Sequence, residues 1–368
     1  MGTTGRQLRS TLDADGVLTL EMVEQVFAQP TGNQVLVRIE AAPINPSDLF
    51  LLTSGADLAN AEYGPGKVVT RLHPQAAAAQ AARVGQSLPV GNEGAGTVVA
   101  TGDSAMARAL TGQRVACVPL HAYGDYALCD AAMCLPLGDH DAATGASSFV
   151  NPMTALGFAE TARMGGHTAL IHAAAASNLG QMLVRICAED GLALVNVVRR
   201  TEQVDLLRGL GAAHVVDSSA PDFEPALAAA IAATGAFVGF DPIGGGTTSD
   251  VCLRAMERVA ASRLTQFSRY GSTQTKTMYI YGRLDTGPTV LTPSYGFGWT
   301  VSGWLLTPFL ERAGLEVMAR MRARVLAGLT TTFASHYKRQ VSLDGMLERE
   351  AMLDYARMAT GEKYLVCP

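Results

Sequence analysis

The stretch that decides the fold comprises residues 168–198, which read TALIHAAAASNLGQMLVRICAEDGLALVNVV. The first five residues predict a buried strand, the small residues after them a turn, and the remainder a helix followed by a second strand. The helix carries one apolar stripe, which consists of Leu179, Met182, Leu183, Ile186 and Cys187. Gly191 is placed to end the helix, and residues 192–198 are apolar and β-branched. The stretch therefore predicts a β-α-β unit with parallel strands.

The same alternation of helix and strand continues towards the C-terminus. A second helix over 202–210 leads to a strand over 214–217, and a third helix over 223–234 leads to a strand over 236–241. Repeated crossovers of this kind predict a doubly wound parallel sheet that begins near residue 145.

The first third of the chain follows a different pattern. Residues 34–40 alternate apolar and polar side chains, and similar short runs recur as far as residue 128, so this part predicts a β-rich barrel or sandwich. A run of alanines over 76–82 predicts a short inserted helix. Helices predicted over 315–326 and 343–358 belong to a tail that we expect to rejoin the first domain.

Length and pattern together predict an α/β protein of two domains. A chain of 368 residues favours two cores over one. The expected division assigns residues 1–144 and 310–368 to a split β-rich domain and residues 145–309 to the parallel-sheet domain.

Composition excludes several classes of function. The net charge is −5 and no long basic run occurs, which argues against a nucleic-acid partner. No apolar stretch is long enough for a membrane span, and the six cysteines lack the spacing of a disulfide framework or a zinc lobe. We therefore expect a cytoplasmic protein with reduced thiols.

The turn between the first parallel strand and its helix is a candidate site for a pyrophosphate. A dinucleotide fold has a glycine-rich turn here, and only Gly180 remains in this chain. Alanines followed by Ser177, Asn178 and the backbone amides of Leu179 and Gly180 could still bind a phosphate. The alternative is an ordinary helix cap formed by Ser177 or Asn178, and the motif alone leaves both interpretations open.

Two arginines at the end of the second parallel strand favour NADPH over NADH. An acidic residue at this position binds the ribose hydroxyls in NAD enzymes, whereas this chain has Arg199 and Arg200. Guanidinium groups suit a 2′-phosphate, which a carboxylate would repel. The alternative is a pair of solvated arginines at a strand end.

With these residues in place, the chain resembles the medium-chain dehydrogenase/reductase superfamily, in its zinc-free quinone oxidoreductase and 2-enoyl thioester reductase branches. The segments that carry the resemblance are Ile44-Asn-Pro-Ser-Asp48, Gly91-Asn-Glu-Gly-Ala-Gly96, Gly112-Gln-Arg-Val-Ala116, Asn151-Pro-Met-Thr-Ala155, the turn ending at Gly180, Asn196-Val-Val-Arg199 and Gly361-Glu-Lys-Tyr-Leu-Val366. The resemblance implies a GroES-like substrate domain built from both chain ends and a Rossmann domain between them.

The resemblance also assigns cofactor contacts. Asn45 and Thr154 would line the nicotinamide, residues 177–179 the pyrophosphate, and the two arginines the 2′-phosphate. The loops carrying Ile243, Tyr281 and Gly282 would close over the ribose and nicotinamide.

No metal site is expected. Zinc alcohol dehydrogenases of the superfamily bind their catalytic metal with a cysteine, a His-Glu pair and a later cysteine. Here Asn45 and Asn92 stand where the first cysteine and the histidine would be needed, and an amide is a poor zinc ligand. Isolated histidines such as His172 are assigned structural or surface roles.

Without a metal, the remaining chemistry is hydride transfer to an acceptor whose own conjugation spreads the charge. The first hypothesis is an NADPH:quinone or enone oxidoreductase, and the second is a 2-enoyl thioester reductase. By resemblance Tyr63 is a candidate proton donor for the second, although a tyrosine that anchors a loop would look the same. The third hypothesis is an NADPH-binding sensor or structural protein with little turnover.

Two features of the chain depart from the resemblance or extend it. The segments 49–90 and 262–298 are longer than the resemblance leads us to expect. The resemblance therefore does not assign the residues that form the wall of the acceptor pocket. The stretch 299–306 is an apolar strand late in the sheet, which predicts pairing with a second copy in a homodimer.

Overall fold

A computed structural model describes residues 2–53, 55–359 and 363–368 of the chain. Within these ranges the strands are β1 Thr3–Leu12, β2 Val17–Phe27, β3 Gln34–Pro43, β4 Glu62–Gly64, β5 Lys67–Arg71, β6 Ser87–Pro89, β7 Gly94–Thr101, β8 Arg114–Cys117, β9 Tyr126–Asp130, β10 Cys134–Pro136, β11 Ala169–Ala173, β12 Ala193–Val198, β13 His214–Asp217, β14 Val238–Asp241, β15 Gly244–Gly246, β16 Lys276–Ile280, β17 Asp285–Thr289, β18 Trp299–Gly303, β19 Arg339–Val341 and β20 Tyr364–Val366. The α-helices are α1 Leu49–Leu52, α2 Pro74–Ala79, α3 Ala105–Ala109, α4 Ala142–Gly145, α5 Val150–Met164, α6 Asn178–Asp190, α7 Thr201–Gly209, α8 Phe223–Thr234, α9 Thr248–Ser262, α10 Leu306–Ala327 and α11 Arg349–Tyr355.

The first of two compact units comprises Met1–Val150 and Val325–Pro368. Its strands form a five-stranded sheet in the order β4-β5-β2-β1-β6 and a seven-stranded sheet in the order β10-β8-β7-β3-β20-β19, with β9 also paired to β3. Strand β20 near the end of the chain pairs antiparallel with β3, where Leu365 lies opposite Pro43. Both ends of the chain therefore build the β-rich unit, as predicted.

The second unit, Asn151–Arg324, contains a six-stranded parallel sheet in the order β13-β12-β11-β14-β16-β18. Helix α6 buries the predicted stripe from Leu179 to Cys187. Gly191 ends this helix at a φ of 66°, and its N–H donates to the carbonyl of Cys187. The doubly wound parallel sheet predicted from the β-α-β pattern is confirmed.

The units divide later in the chain than the sequence predicts, at 150/151 instead of 144/145 and at 324/325 instead of 309/310. Helix α10 explains the second difference. Phe309 stacks on Trp304 at 5.4 Å, and the Arg324 guanidinium lies 2.8 Å from the carboxylate of Asp190 in α6. These contacts keep the chain with the parallel sheet until Arg324.

Both enlarged segments contain regular structure. The alanine run forms α2 over Pro74–Ala79 and then a 3₁₀ turn over Ala81–Arg83, which is shorter than the predicted helix over 76–82. Residues 262–298 contain β16 and β17. Among the described helices, none combines the length and the hydropathy needed to cross a membrane.

Candidate functional site

The carboxyl edge of the parallel sheet in the second unit gathers most of the predicted cofactor residues. Strands β12 and β13 lie on one side of β11, and β14, β16 and β18 lie on the other. The strand order therefore changes direction at β11, which creates a topological switch point beside the first β-α turn. Ser177, Arg199, Ile243 and Tyr281 each follow one of the strands that end there. Because parallel strands end at the same edge, the fold brings these four residues to one side of the unit.

The glycine-poor turn keeps a tight backbone path. Ala174 adopts a φ of 48°, a left-handed conformation that a glycine normally supplies. A Cβ on Gly180 would lie 2.0 Å from the carbonyl oxygen of Ala175, so the surviving glycine is required for the approach of α6 to the turn. Ser177 caps α6, because its Oγ accepts from the N–H of Gly180 at 3.2 Å.

The two arginines lie exposed at the end of β12. The backbone N–H of Arg199 donates to Oε1 of Gln203 at 3.2 Å, which fixes the backbone where β12 passes into α7. Neither guanidinium forms an ion pair with a described residue. The pair can therefore bind an anion without first breaking an internal contact.

The loops after β14 and β16 are joined by hydrogen bonds. The Asp241 carboxylate is buried, accepts from the N–H of Ile243 at 2.8 Å and from the hydroxyl of Ser249 at 2.8 Å, and has its pKa raised by burial. A Cβ on Gly282 would lie 2.6 Å from the Pro242 carbonyl oxygen. Predicted residues Ile243 and Gly282 thus belong to one closely packed loop pair.

A side-chain pair that the sequence did not predict lies beside these loops. His172 Nε2 and the Tyr281 hydroxyl are 2.8 Å apart, and the His172 side chain is fully buried in β11. Phe158 of α5 packs edge-on against the Tyr281 ring at 4.6 Å. Thr154, a predicted cofactor contact, lies one helical turn before Phe158 on α5 and is also buried.

In the first unit, two distant motifs meet around Asn45. The Asn45 Nδ2 donates to Oε1 of Glu93 at 2.8 Å, and the backbone N–H groups of Asn45 and Asn92 both donate to the Asp48 carboxylate at 2.8 Å. Burial raises the pKa of Asp48 to about 6. Since a carboxylate only accepts hydrogen bonds, the Asn45 amide is fixed with Oδ1 as its unused acceptor, and that buried atom has no partner among the described residues.

Glu93 and Lys363 both bind residues at or just before the start of α5, and their opposite charges attract each other. The second carboxylate oxygen of Glu93 accepts from the N–H groups of Phe149 and Val150, both at 2.9 Å. The Lys363 Nζ donates to the Ser147 hydroxyl at 2.7 Å, and burial lowers the pKa of Lys363 to about 8. Sequence reasoning quoted the motif that contains Lys363 but assigned the residue no role, since its position beside Ser147 depends on pairing between strands far apart in the chain.

Tyr63 lies on β4, and its hydroxyl donates to the carbonyl of Leu58 at 2.9 Å. The Arg349 guanidinium is 6.0 Å from the centre of its ring, and burial raises the pKa of the phenol. The loop-anchoring contact weighed for this residue is present, and its role as a proton donor stays a prediction.

One unit is β-rich and is built from both ends of the chain, and the other contains a parallel sheet whose strand order changes direction beside the first β-α loop. These two features define a two-domain fold of the dehydrogenase and reductase class. The model of the alcohol dehydrogenase GroES-like domain matches residues 31–175. A mitochondrial enoyl-[acyl-carrier-protein] reductase of Bos taurus is 31% identical over 217 residues, which are 55% of this chain and 50% of that protein. The chain thus spans about half the length of this curated relative.

Solved structures match over the whole chain. A Mesorhizobium loti protein assigned as an NADPH:quinone reductase is 25% identical, with a TM-score of 0.76 over 100% of this chain and 99% of its own. A complex of Etr1p with NADP and crotonyl-CoA is 18% identical, with a TM-score of 0.68 over 100% of both chains, and shows the fold alone. The chain has the fold of the medium-chain dehydrogenase/reductase superfamily and is similar to its quinone and enoyl reductases.

Proposed function

We propose that this protein is an NADPH-dependent, metal-independent oxidoreductase that transfers hydride to a quinone or another conjugated enone. The observation that carries the proposal is the pair Arg199 and Arg200, which are exposed at the end of β12 and form no ion pair with a described residue. Full-length similarity to a protein assigned as an NADPH:quinone reductase supports the same reaction.

The residues at the carboxyl edge of the second unit fit this cofactor. Arg199 and Arg200 would hold the 2′-phosphate through charge-assisted hydrogen bonds. The turn at 174–180 lies at the amino end of α6, where backbone dipoles favour a pyrophosphate. NADPH bound there would supply the hydride, and the role of the chain would be to orient the two reactants.

Metal independence rests on the chemistry of the donor set. The Asn45 amide already donates to Glu93, and Asn92 Nδ2 donates to the Ser47 hydroxyl at 2.8 Å. Neither amide is a good ligand for zinc. Dialysis against a strong chelator is therefore expected to leave the rate of NADPH oxidation unchanged, and recovery of a lost rate by added zinc would contradict the proposal.

Steady-state assays test the reaction itself. Oxidation of NADPH is expected with small quinones or enones, at a rate that exceeds the rate with NADH. The absence of NADPH oxidation across a panel of quinones and enones would overturn the proposed reaction.

A second candidate is reduction of a 2-enoyl thioester, which the similarity to the bovine enoyl reductase favours. A crotonyl thioester distinguishes it from the first. Turnover of this thioester that is lost in Tyr63→Phe, with Tyr126→Phe as a control on another strand, would select the second candidate.

We also propose that the protein is a homodimer. Strand β18 is the last strand in the order of the six-stranded sheet, so its outer edge offers backbone donors and acceptors to a second copy.

A further inference from the structure

The arrangement of the parallel sheet places four aromatic side chains on one face. His172 lies opposite Phe240 in the pairing of β11 with β14, and Phe240 lies opposite Tyr279 in the pairing of β14 with β16. Paired residues point to the same side of a sheet, and so do residues two positions apart in one strand. Tyr281 therefore shares the face of Tyr279, at the edge where the strands end.

Packing holds the Tyr281 ring in one orientation. The ring lies nearly parallel to the His172 imidazole, with centroids 5.9 Å apart and an interplanar angle of 20°. Phe158 packs edge-on against the Tyr281 ring, with the ring centroids 4.6 Å apart. The backbone N–H of Tyr281 donates to the Asp241 carbonyl at 3.0 Å. A ring fixed on these sides holds its hydroxyl at one place.

Burial keeps the imidazole neutral, because it lowers the pKa of His172 to about 3. A neutral imidazole carries one proton, on Nδ1 or on Nε2. Nδ1 is buried and has no partner among the described residues. A buried N–H without an acceptor is rarer in proteins than an unpaired acceptor, so the proton belongs on Nε2.

The tautomer decides what the tyrosine can do. With the proton on Nε2, His172 donates to the Tyr281 oxygen at 2.8 Å, and the phenolic O–H is left to bind elsewhere. Burial and, secondly, the nearby Asp241 carboxylate raise the pKa of Tyr281 well above its usual value, so the phenol stays protonated. It is a hydrogen-bond donor and a poor source of a proton for the reaction.

We propose that His172 and Tyr281 form a positioning pair in which the Tyr281 hydroxyl donates to a carbonyl or hydroxyl oxygen on the nicotinamide half of the bound dinucleotide. The inference rests on the proposed function for the presence of the dinucleotide. It adds a side-chain contact with the cofactor and identifies His172 of β11 as the residue that holds Tyr281 in place.

The experiment compares two ligands in Tyr281→Phe, whose ring can still pack on Phe158. NADPH contains the nicotinamide half, whereas adenosine 2′,5′-bisphosphate contains only the part expected at Arg199 and Arg200. Fluorescence titration of NADPH and calorimetric titration of the bisphosphate give both dissociation constants, and thermal unfolding of each variant shows that it folds.

The expected result is a loss of about five- to tenfold in NADPH affinity with unchanged affinity for the bisphosphate, which corresponds to one neutral hydrogen bond. His172→Leu should reproduce the loss. His172→Gln should retain affinity, because its amide can still donate to Tyr281. Tyr279→Phe is the matched control, since Tyr279 lies on β16 two positions before Tyr281 and its loss of a hydroxyl should change neither constant.

Unchanged NADPH affinity in Tyr281→Phe, or an equal loss for both ligands, would overturn the positioning pair. A fall in kcat with an unchanged NADPH dissociation constant would also overturn it, because the hydroxyl would then act on the acceptor. Failure of the wild-type protein to bind either ligand would instead overturn the proposed function. The two failures are distinguishable, because the positioning pair is tested only by variants of a protein that binds both ligands.

Discussion

At the scale of single residues, Gly180 shows why one glycine persists in a turn that otherwise has alanines. Its missing Cβ is what allows the Ala175 carbonyl to approach, at a distance of 2.0 Å from the ideal Cβ position. The spacing of the sequence singled out this residue, but only the structure shows the backbone contact that imposes the constraint.

We predict that Gly180→Ala lowers the free energy of unfolding by about 1–3 kcal/mol, because backbone atoms must move to admit the methyl group. Gly209→Ala is the control, since a Cβ there meets no atom of the described residues within 4 Å and alanine suits a helix better than glycine. Urea denaturation of both variants measures the difference. Equal stability of Gly180→Ala and wild type would contradict the packing argument.

The residue pairs that define the candidate sites were beyond sequence reasoning. Asn45 and Asn92 were identified by position, but the hydrogen bond from Asn45 to Glu93 depends on how β3 and β7 pair. His172 was assigned a structural role, because a single histidine in an apolar strand gives no sign of a tyrosine 109 positions away.

At the scale of elements, a buried ion pair secures the enlarged segment 262–298. Lys276 at the start of β16 is fully buried, and its Nζ lies 2.7 Å from the Glu257 carboxylate of α9. Glu257 also accepts from the backbone N–H and the hydroxyl of Ser272. The charges therefore hold β16 and the loop before it against α9.

We predict that Glu257→Gln lowers the free energy of unfolding by about 3–5 kcal/mol, because it leaves the Lys276 charge buried without a counter-charge. Glu224→Gln is the control, since Glu224 pairs with Arg254 at the surface and should cost at most about 1 kcal/mol. Thermal or urea unfolding measures both. Comparable losses in the two variants would contradict the role of the buried pair.

The pH dependence of this pair has a defined sign. Burial raises the pKa of Glu257, but hydrogen bonds from Lys276 and Ser272 outweigh it, so the pKa lies below the ordinary value of 4.5. The stabilisation is complete above that value and is lost as the pH falls through the lowered pKa.

Elements with a clear hydrophobic period were predictable, and interrupted ones were not. The α6 stripe and its end at Gly191 are present as predicted. Gly314 is not helical, at a φ of 84°, so α10 consists of two helices. The second follows Gly314, as the helix predicted from residue 315 does, and the first, which begins at Leu306, was not predicted. Strands β16 and β17 lie among glycines and prolines, where alternation is too short to stand out.

At the scale of the whole molecule, the split of the chain into two units was predictable because each unit has its own pattern, alternating in one and crossover-linked in the other. The boundaries between the units were less predictable, because they depend on contacts such as that of Arg324 with Asp190.

We predict that the protein sediments as a dimer at micromolar concentration and that Thr300→Lys shifts it towards a monomer. Thr300 is exposed on the edge strand β18, and a lysine on such a strand disfavours edge-to-edge pairing. Thr289→Lys on β17, also exposed, is the control. A wild-type monomer, or a dimer that Thr300→Lys leaves intact, would contradict pairing through this edge.

Titration of wild type and Arg199→Ala with NADPH and NADH is the sharpest test of whether the protein uses NADPH through Arg199. Arg208→Ala, an exposed arginine of α7, is the control. We predict that wild type prefers NADPH and that Arg199→Ala weakens NADPH binding by about 10- to 100-fold, because a charge-assisted contact is lost, while NADH binding is unchanged. Equal affinities of the wild-type protein for NADPH and NADH would contradict it.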